Sequence, residues 1–297
     1  MKLKNIHIIV NPAAGNNEPI LSYLNDSLHT SKVNWEVFLT HGRGDATDLA
    51  KKAVKEKVDA VAVYGGDGTV MEVAQGLYKT HTPLAIIPGG TANVMAKELG
   101  IPTSTTEAID LLKNNNLKAK VVDMALLGDK PFIIRLNLGV LAEMVKSTRR
   151  SVKDKFGVLA YVGAAIKHTF TTQREEYHLV LDGKKITTRG VALVIANSGN
   201  IGIPGVSFLP SIDIADGLLD VIVFRTKNFK SLVAWASSHI KGEKPNRHIK
   251  HWKAKSVTVE LTKEKSIILD DVPIKIKQLN AIIVPRALTV LIPNHSK

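Results

Sequence analysis

The chain has 297 residues, no cysteine, 44% apolar residues, and 40 Lys and Arg against 27 Asp and Glu for a net charge of +13. The missing cysteines exclude disulfides, thiolate catalysis and thiolate-bound zinc, the apolar content argues against extended disorder, and the positive field favours nucleotides, nucleic acid or anionic lipid headgroups as partners. No apolar run approaches the roughly 18 residues of a spanning helix, and the one in Met1 to Val10 is too short for a signal peptide, so a cytoplasmic chain that touches membranes only from the side is expected.

Ile6 to Val10 reads as a buried strand that stops at Asn11-Pro12-Ala13-Ala14-Gly15, where proline and glycine enforce a turn. Helical spacing follows through Ile20, Leu21, Leu24 and Leu28, then a strand over Trp35 to Thr40 and a helix over Asp45 to Lys57. The apolar run Ala60-Val61-Ala62-Val63 ends in Tyr64-Gly65-Gly66-Asp67-Gly68-Thr69, and a helix over Val70 to Tyr78 resumes at once. Glycines there let the backbone approach a bulky anion, and the helix start offers free N–H groups and the positive end of its dipole. A carboxylate beside phosphate is repulsive unless it holds a cation or handles a proton, so Asp67 points to a metal. Taken alone, the segment also fits a plain glycine turn with Thr69 as N-cap. Leu84 to Ile87 is a further strand, closed by Pro88-Gly89-Gly90-Thr91-Ala92-Asn93 before a helix over Val94 to Leu99.

Alternating strands and helices at this spacing imply a parallel sheet, and such sheets bind ligands beyond the carboxyl ends of their strands. The three glycine turns would all lie on that edge. From about Val121 the texture changes to strand runs: Phe132 to Leu138, Tyr177 to Leu181, Lys185 to Asn197, Leu218 to Arg225, Ser256 to Glu260, Ser266 to Leu269 and Ala281 to Val284, with helical segments at Val158 to Phe170 and Lys230 to Ser238. The fold class expected is α/β: an N-terminal Rossmann-like parallel-sheet domain over 1–126, completed by 286–297, and a C-terminal antiparallel β-sandwich domain over 127–285.

With these segments in hand, the chain resembles the catalytic domain of the diacylglycerol kinase family, which includes bacterial lipid kinases, sphingosine kinases and ceramide kinases. The resemblance rests on Asn11-Pro12-Ala13-Ala14-Gly15, Gly65-Gly66-Asp67-Gly68-Thr69 with Glu72, Pro88 to Asn93, and Asp216-Gly217-Leu218-Leu219-Asp220. It implies ATP bound between the two domains, near Asn11, Pro12, Gly15, Thr40, Gly65, Gly66, Asp67, Gly68, Thr69, Glu72, Thr91 and Asn93. It implies that Asp123 joins Asp67 in a magnesium–water network. A structural Mg2+ is implied on the Asp216 side chain and the backbone oxygens of Asp213 and Leu218; a plain Asp-Gly turn is the alternative there.

Phosphoryl transfer needs an in-line hydroxyl, a cation on the β and γ oxygens, and a carboxylate to accept the hydroxyl proton. The family base matches Asp270, while Asp271 and Val272 replace a glycine and a glutamate, and Val94 stands where relatives carry aspartate. The function expected is an ATP- and Mg2+-dependent lipid kinase acting on diacylglycerol or a related lipid alcohol. The alternatives are an NAD kinase-like enzyme and a catalytically weak nucleotide- or lipid-binding member of the family. The basic segments Lys146 to Lys155 and His239 to Lys255, the second with Trp252, suit peripheral contact with an anionic membrane surface or serve as ordinary solvated charge. No nucleic acid is expected, for want of a reading helix or stacking aromatics. A homodimer is one assembly open to such a chain.

Overall fold

A computed structural model describes residues 3–15, 18–114, 116–139, 174–201, 207–225, 249–270 and 272–294. The helices expected at Val158 to Phe170 and Lys230 to Ser238, and the basic segment Lys146 to Lys155, lie outside the described residues. The chain divides into two compact units, residues 1–122 with 286–297, and residues 123–285.

The first unit is built on strands β1 (Asn5–Val10), β2 (Asn34–Leu39), β3 (Ala60–Gly65) and β4 (Leu84–Pro88). β1 pairs in parallel with both β2 and β3, and β3 with β4. Every residue of β3 and β4 is buried, as expected of parallel strands covered on both faces. Helices α1 (Ile20–Leu28), α2 (Asp45–Lys55) and α3 (Asp67–Gly76) follow β1, β2 and β3. α2 shows why it forms: Ala46, Ala50 and Ala53 make one buried stripe, with acids in the first turn and Lys52 and Lys55 in the last. After the short α4 (Val94–Glu98) comes α5 (Thr105–Lys113), which the sequence reading missed. Its signal was present: Ser104 caps the helix by accepting from Glu107 N–H, and Ala108, Ile109 and Leu112 point inward.

The chain enters the second unit inside β5 (Leu117–Leu127), which turns back into β6 (Lys130–Phe132). The single run expected over Phe132 to Leu138 is therefore broken, and β7 begins only at Arg135–Gly139. The run expected over Lys185 to Asn197 is also two strands. β8 (Glu175–Leu181) and β9 (Lys184–Gly190) form a hairpin in one sheet, whereas β10 (Ala192–Ala196) belongs to the other. β11 (Leu219–Phe224), β12 (Ile249–Ala254), β13 (Ser256–Val259), β14 (Lys265–Leu269) and β15 (Val272–Ile276) follow. β13 pairs antiparallel with β8 and with the first part of β16 (Leu279–Pro293). The opposing sheet runs β12-β11-β10-β7-β14-β15 and is antiparallel throughout. Leu179, Leu181 and Val257 of one sheet and Leu193, Val221 and Ile267 of the other share a single core, which makes this unit a β-sandwich. The far part of β16 belongs to the first unit, where Val290 pairs in parallel with Leu84 of β4.

Candidate active site

In the first unit the chain leaves β1 and β3, adjacent parallel strands, in opposite senses, the point where open sheets form a ligand crevice. The three glycine turns meet there. Asn11 Nδ2 donates to Thr69 Oγ1 at 2.9 Å, and Gly15 N–H donates to Gly89 O at 2.6 Å. Gly90 lies so close to Gly66 that a Cβ on it would sit 2.6 Å from the Gly66 Cα. Asn93 closes its own turn, accepting from Gly90 N–H and donating to Gly90 O. A fourth loop joins them: Glu72 Oε2 accepts Gly44 N–H at 3.0 Å, and Thr40 N–H donates to Val10 O. Glu72 thus ties the loop after β2 to α3.

Asp67 is the first residue of α3 and is 8% exposed. Its Oδ1 accepts from Met95 N–H at 3.3 Å. Lys97, which the sequence reading passed over, donates to Ala92 O at 2.5 Å; burial lowers its pKa, and the Asp67 charge opposes that shift. The Lys97 ammonium thus lies within electrostatic reach of the Asp67 carboxylate.

A second unforeseen feature is Tyr64, fully buried on β3. Its hydroxyl donates to Glu18 Oε2 at 3.0 Å, and Thr105 Oγ1 donates to the same oxygen at 2.8 Å. Burial first, and then the Glu18 hydrogen bond and charge, push the phenol up to about 12. The ring is the post on which two turns rest. A Cβ at Gly89 would lie 2.9 Å from it, and one at Gly15, whose φ is +78°, would strike the hydroxyl.

In the second unit Asp123 is buried, and its Oδ2 accepts Gly217 N–H at 2.7 Å while its own N–H donates to Ile214 O at 2.8 Å. The loop 213–218 is thereby zipped to it. The metal implied on this loop does not fit the residues present. Asp213 Oδ1 accepts Ala215 N–H, Asp216 Oδ1 accepts Leu218 N–H, and Asp216 Oδ2 is taken by Lys253 Nζ at 2.5 Å. The implied ligands are one carboxylate and two backbone oxygens, and Lys253 already holds that carboxylate. Burial pulls the Lys253 ammonium down, but its hydrogen bond to Asp216 and the charges of Asp220, Asp216 and Asp213 outweigh that and hold it above the ordinary lysine value.

Asp270, assigned by resemblance as the base, has another occupation. It sits at φ +43° in the tight turn between β14 and β15, 3% exposed. Its carboxylate accepts from Ile133 N–H at 2.8 Å, Ile134 N–H at 3.0 Å and Arg135 N–H at 2.7 Å. These are the donors that the break between β6 and β7 leaves outside the ladder. A buried carboxylate with its lone pairs so engaged anchors backbone and is poorly placed to take a proton from an acceptor.

Residues 5–125 match the family described as diacylglycerol kinase catalytic domain, and residues 136–292 match the one described as YegS C-terminal NAD kinase beta sandwich-like domain. The chain is 31% identical to an uncharacterized protein of Synechocystis over 98% of its own length and 71% of that protein's. It is 27% identical to a diacylglycerol kinase of Bacillus subtilis, covering 90% of this chain and 89% of the other. A crystal structure of a diacylglycerol kinase from Bacillus anthracis superposes with a TM-score of 0.77 at 26% identity, covering 99% of this chain and 98% of that one. The fold and these matches define a two-domain kinase, an α/β unit followed by a β-sandwich. The chain belongs to the diacylglycerol kinase family of lipid kinases.

Proposed function

We propose that this chain transfers the γ-phosphoryl group of ATP to the hydroxyl of diacylglycerol or a related lipid alcohol. The observation that carries the reading is the meeting of the turns 11–15, 65–69 and 88–93 at one edge of the parallel sheet, with Asp67 and Lys97 beside them. Backbone N–H groups in glycine turns at helix starts suit a polyphosphate, and Asn11, Pro12, Gly15, Thr40, Gly65, Gly66, Gly68, Thr69, Thr91 and Asn93 are assigned to holding it. Glu72 supports this set by bracing the Gly44 loop.

Mg2+ carried on the nucleotide would neutralise charge on the β and γ oxygens, and Asp67 is the carboxylate of these turns that would hold it. Lys97 adds positive charge beside the same carboxylate. The acceptor oxygen forms a bond to the γ-phosphorus as the bond to the β-bridging oxygen breaks, releasing ADP, and the hydroxyl proton passes to a base. Asp270 is the base that the resemblance links to this step; because its carboxylate is engaged by backbone, we assign the proton to the next carboxylate in sequence, Asp271, which lies outside the described residues. Asp123 is assigned to ordering the acceptor side through the 213–218 loop. The lipid would be met at an anionic membrane surface. Of the second basic segment, Lys250 lies 6.0 Å from the Trp252 ring, while Lys253 is bound to Asp216. No helix among the described residues is long and apolar enough to cross a membrane.

The test is transfer of label from [γ-32P]ATP to diacylglycerol in mixed micelles, with NAD as the competing acceptor. Asp67→Asn is expected to lower kcat by roughly a hundredfold to a thousandfold while the protein melts within a few degrees of wild type. Phosphorylation of NAD alone, or an unaffected Asp67→Asn enzyme, rejects the proposal. The buried Asp270 carboxylate and the apolar Val272 favour a second reading, a member that binds ATP and turns over weakly. Measurable ATP binding with no labelled lipid after a single-turnover incubation selects it.

A further inference from the structure

The loop 213–218 and the start of β11 carry Asp213, Asp216 and Asp220, and the family resemblance puts a magnesium ion on the Asp216 side chain with the backbone of Asp213 and Leu218, yet a positive charge is already in place. β12 pairs antiparallel with β11 so that Lys253 stands opposite Asp220, and its side chain extends beyond the strand to the loop. The Lys253 ammonium donates to Ser211 O at 2.8 Å and to Asp216 Oδ2 at 2.5 Å, and lies 3.9 Å from Asp220 Oδ1. Two residues earlier on the same face, His251 Nε2 contacts the same Asp220 oxygen at 2.6 Å. Asp220 is fully buried, and its Oδ2 has no hydrogen-bond partner among the described residues, so that carboxylate depends on these two neighbours for its compensation. The contacts of Lys253 are those a bound cation would make, one backbone carbonyl and one carboxylate oxygen with a second carboxylate behind. Magnesium demands near-octahedral oxygen ligation at roughly 2.0–2.1 Å and would have to sit against the ammonium.

We propose that Lys253 is the resident cation of the 211–220 loop, so that this protein holds no divalent ion there and Asp123 keeps its place without one. The chain of support runs from Lys253 to Asp216 Oδ2, from Asp216 Oδ1 to the Leu218 N–H that it accepts, and through the adjoining Gly217, whose N–H donates to Asp123 Oδ2. Lys253 is in this sense a positioning residue. The inference concerns cation occupancy alone and stands whether or not the lipid-kinase reading holds.

The test uses the full chain free of nucleotide, with Mn2+ as the spectroscopic probe for a magnesium site and thermal melting in EDTA or millimolar Mg2+. Wild type is expected to melt at the same temperature in both, within about 1 °C, and to show no Mn2+ binding that Asp216→Asn removes. Lys253→Met keeps most of the stem but loses the charge. It is expected to melt lower by roughly 3–6 °C in EDTA and to recover at least half of that in Mg2+, because the vacated oxygens now receive the ion. Lys253→Arg, still cationic, stays indifferent to Mg2+. A wild-type protein that binds Mn2+ in a manner abolished by Asp216→Asn overturns the proposal, as does a Lys253→Met protein as stable in EDTA as wild type. If Lys253→Met does not fold, the wild-type and Asp216→Asn titrations decide alone: Asp216-dependent binding overturns the proposal and its absence sustains it.

Discussion

The two units handle charge in opposite ways. In the first, three glycine turns bring backbone together at one edge of the parallel sheet, where the proposed function places a polyphosphate. In the second, the carboxylates are already answered from within: Asp270 by three backbone N–H groups, Asp216 by Lys253, Asp220 by His251. The turns of the first unit are tied to one another through backbone and amide groups, whereas the second unit compensates its buried carboxylates with cations and backbone donors. The contrast shows that a motif aspartate cannot be given a chemical role until its hydrogen-bond partners are known.

The sharpest way to break this comparison is Asp270→Ala. Removing the carboxylate strands the N–H groups of 133–135 in a buried place, and the expected loss is roughly 3–5 kcal/mol, read as a shifted denaturant midpoint. A variant that merely loses activity and melts as wild type does would show that Asp270 is no anchor. Gly90→Ala tests the other side. Its Cβ would meet the Gly66 backbone at 2.6 Å, so a cost of roughly 1–3 kcal/mol is expected, with weakened ATP binding measured by calorimetry.

Tyr64 gives a pH signature of the first unit. Its folded-state phenol is raised to about 12 against an ordinary value of 10.0, so the stability tied to its proton is fully present below pH 10 and is lost as pH rises towards 12. The loss is on the order of 2 kcal/mol, and Tyr64→Phe should flatten that part of the stability profile relative to wild type. An unchanged alkaline slope would mean that the Tyr64–Glu18 contact contributes little. The smallest effect is expected from Ser104→Ala, about 1 kcal/mol, for loss of the α5 cap by thermal melting.

What was legible in the sequence follows from how local each determinant is. The alternation of apolar runs and amphipathic helices, and the glycines at strand ends, are written within a few residues, so the parallel unit and the three turns could be read directly. The break after Phe132 could not. It depends on Asp270, more than a hundred positions away, to receive the freed N–H groups. The ties of Lys253 are hidden for the same reason, since its partners Ser211 and Asp216 are distant in sequence. The strand run at Lys185 to Asn197 was split because Gly190 packs against Val223 and the Phe224 backbone, where a side chain has no room. Helix α5 is local in origin, its start written in Ser104-Thr105-Thr106-Glu107.

The sharing of β16 between the units has a consequence for biosynthesis. Residues 286–293, which give β4 its second neighbour, leave the ribosome only after the whole of 123–285. Until then the nascent first unit carries β4 as an open strand edge of buried, apolar character. During synthesis that border therefore stays unpaired for the time needed to translate the sandwich, the interval in which an exposed strand edge is most prone to aggregate.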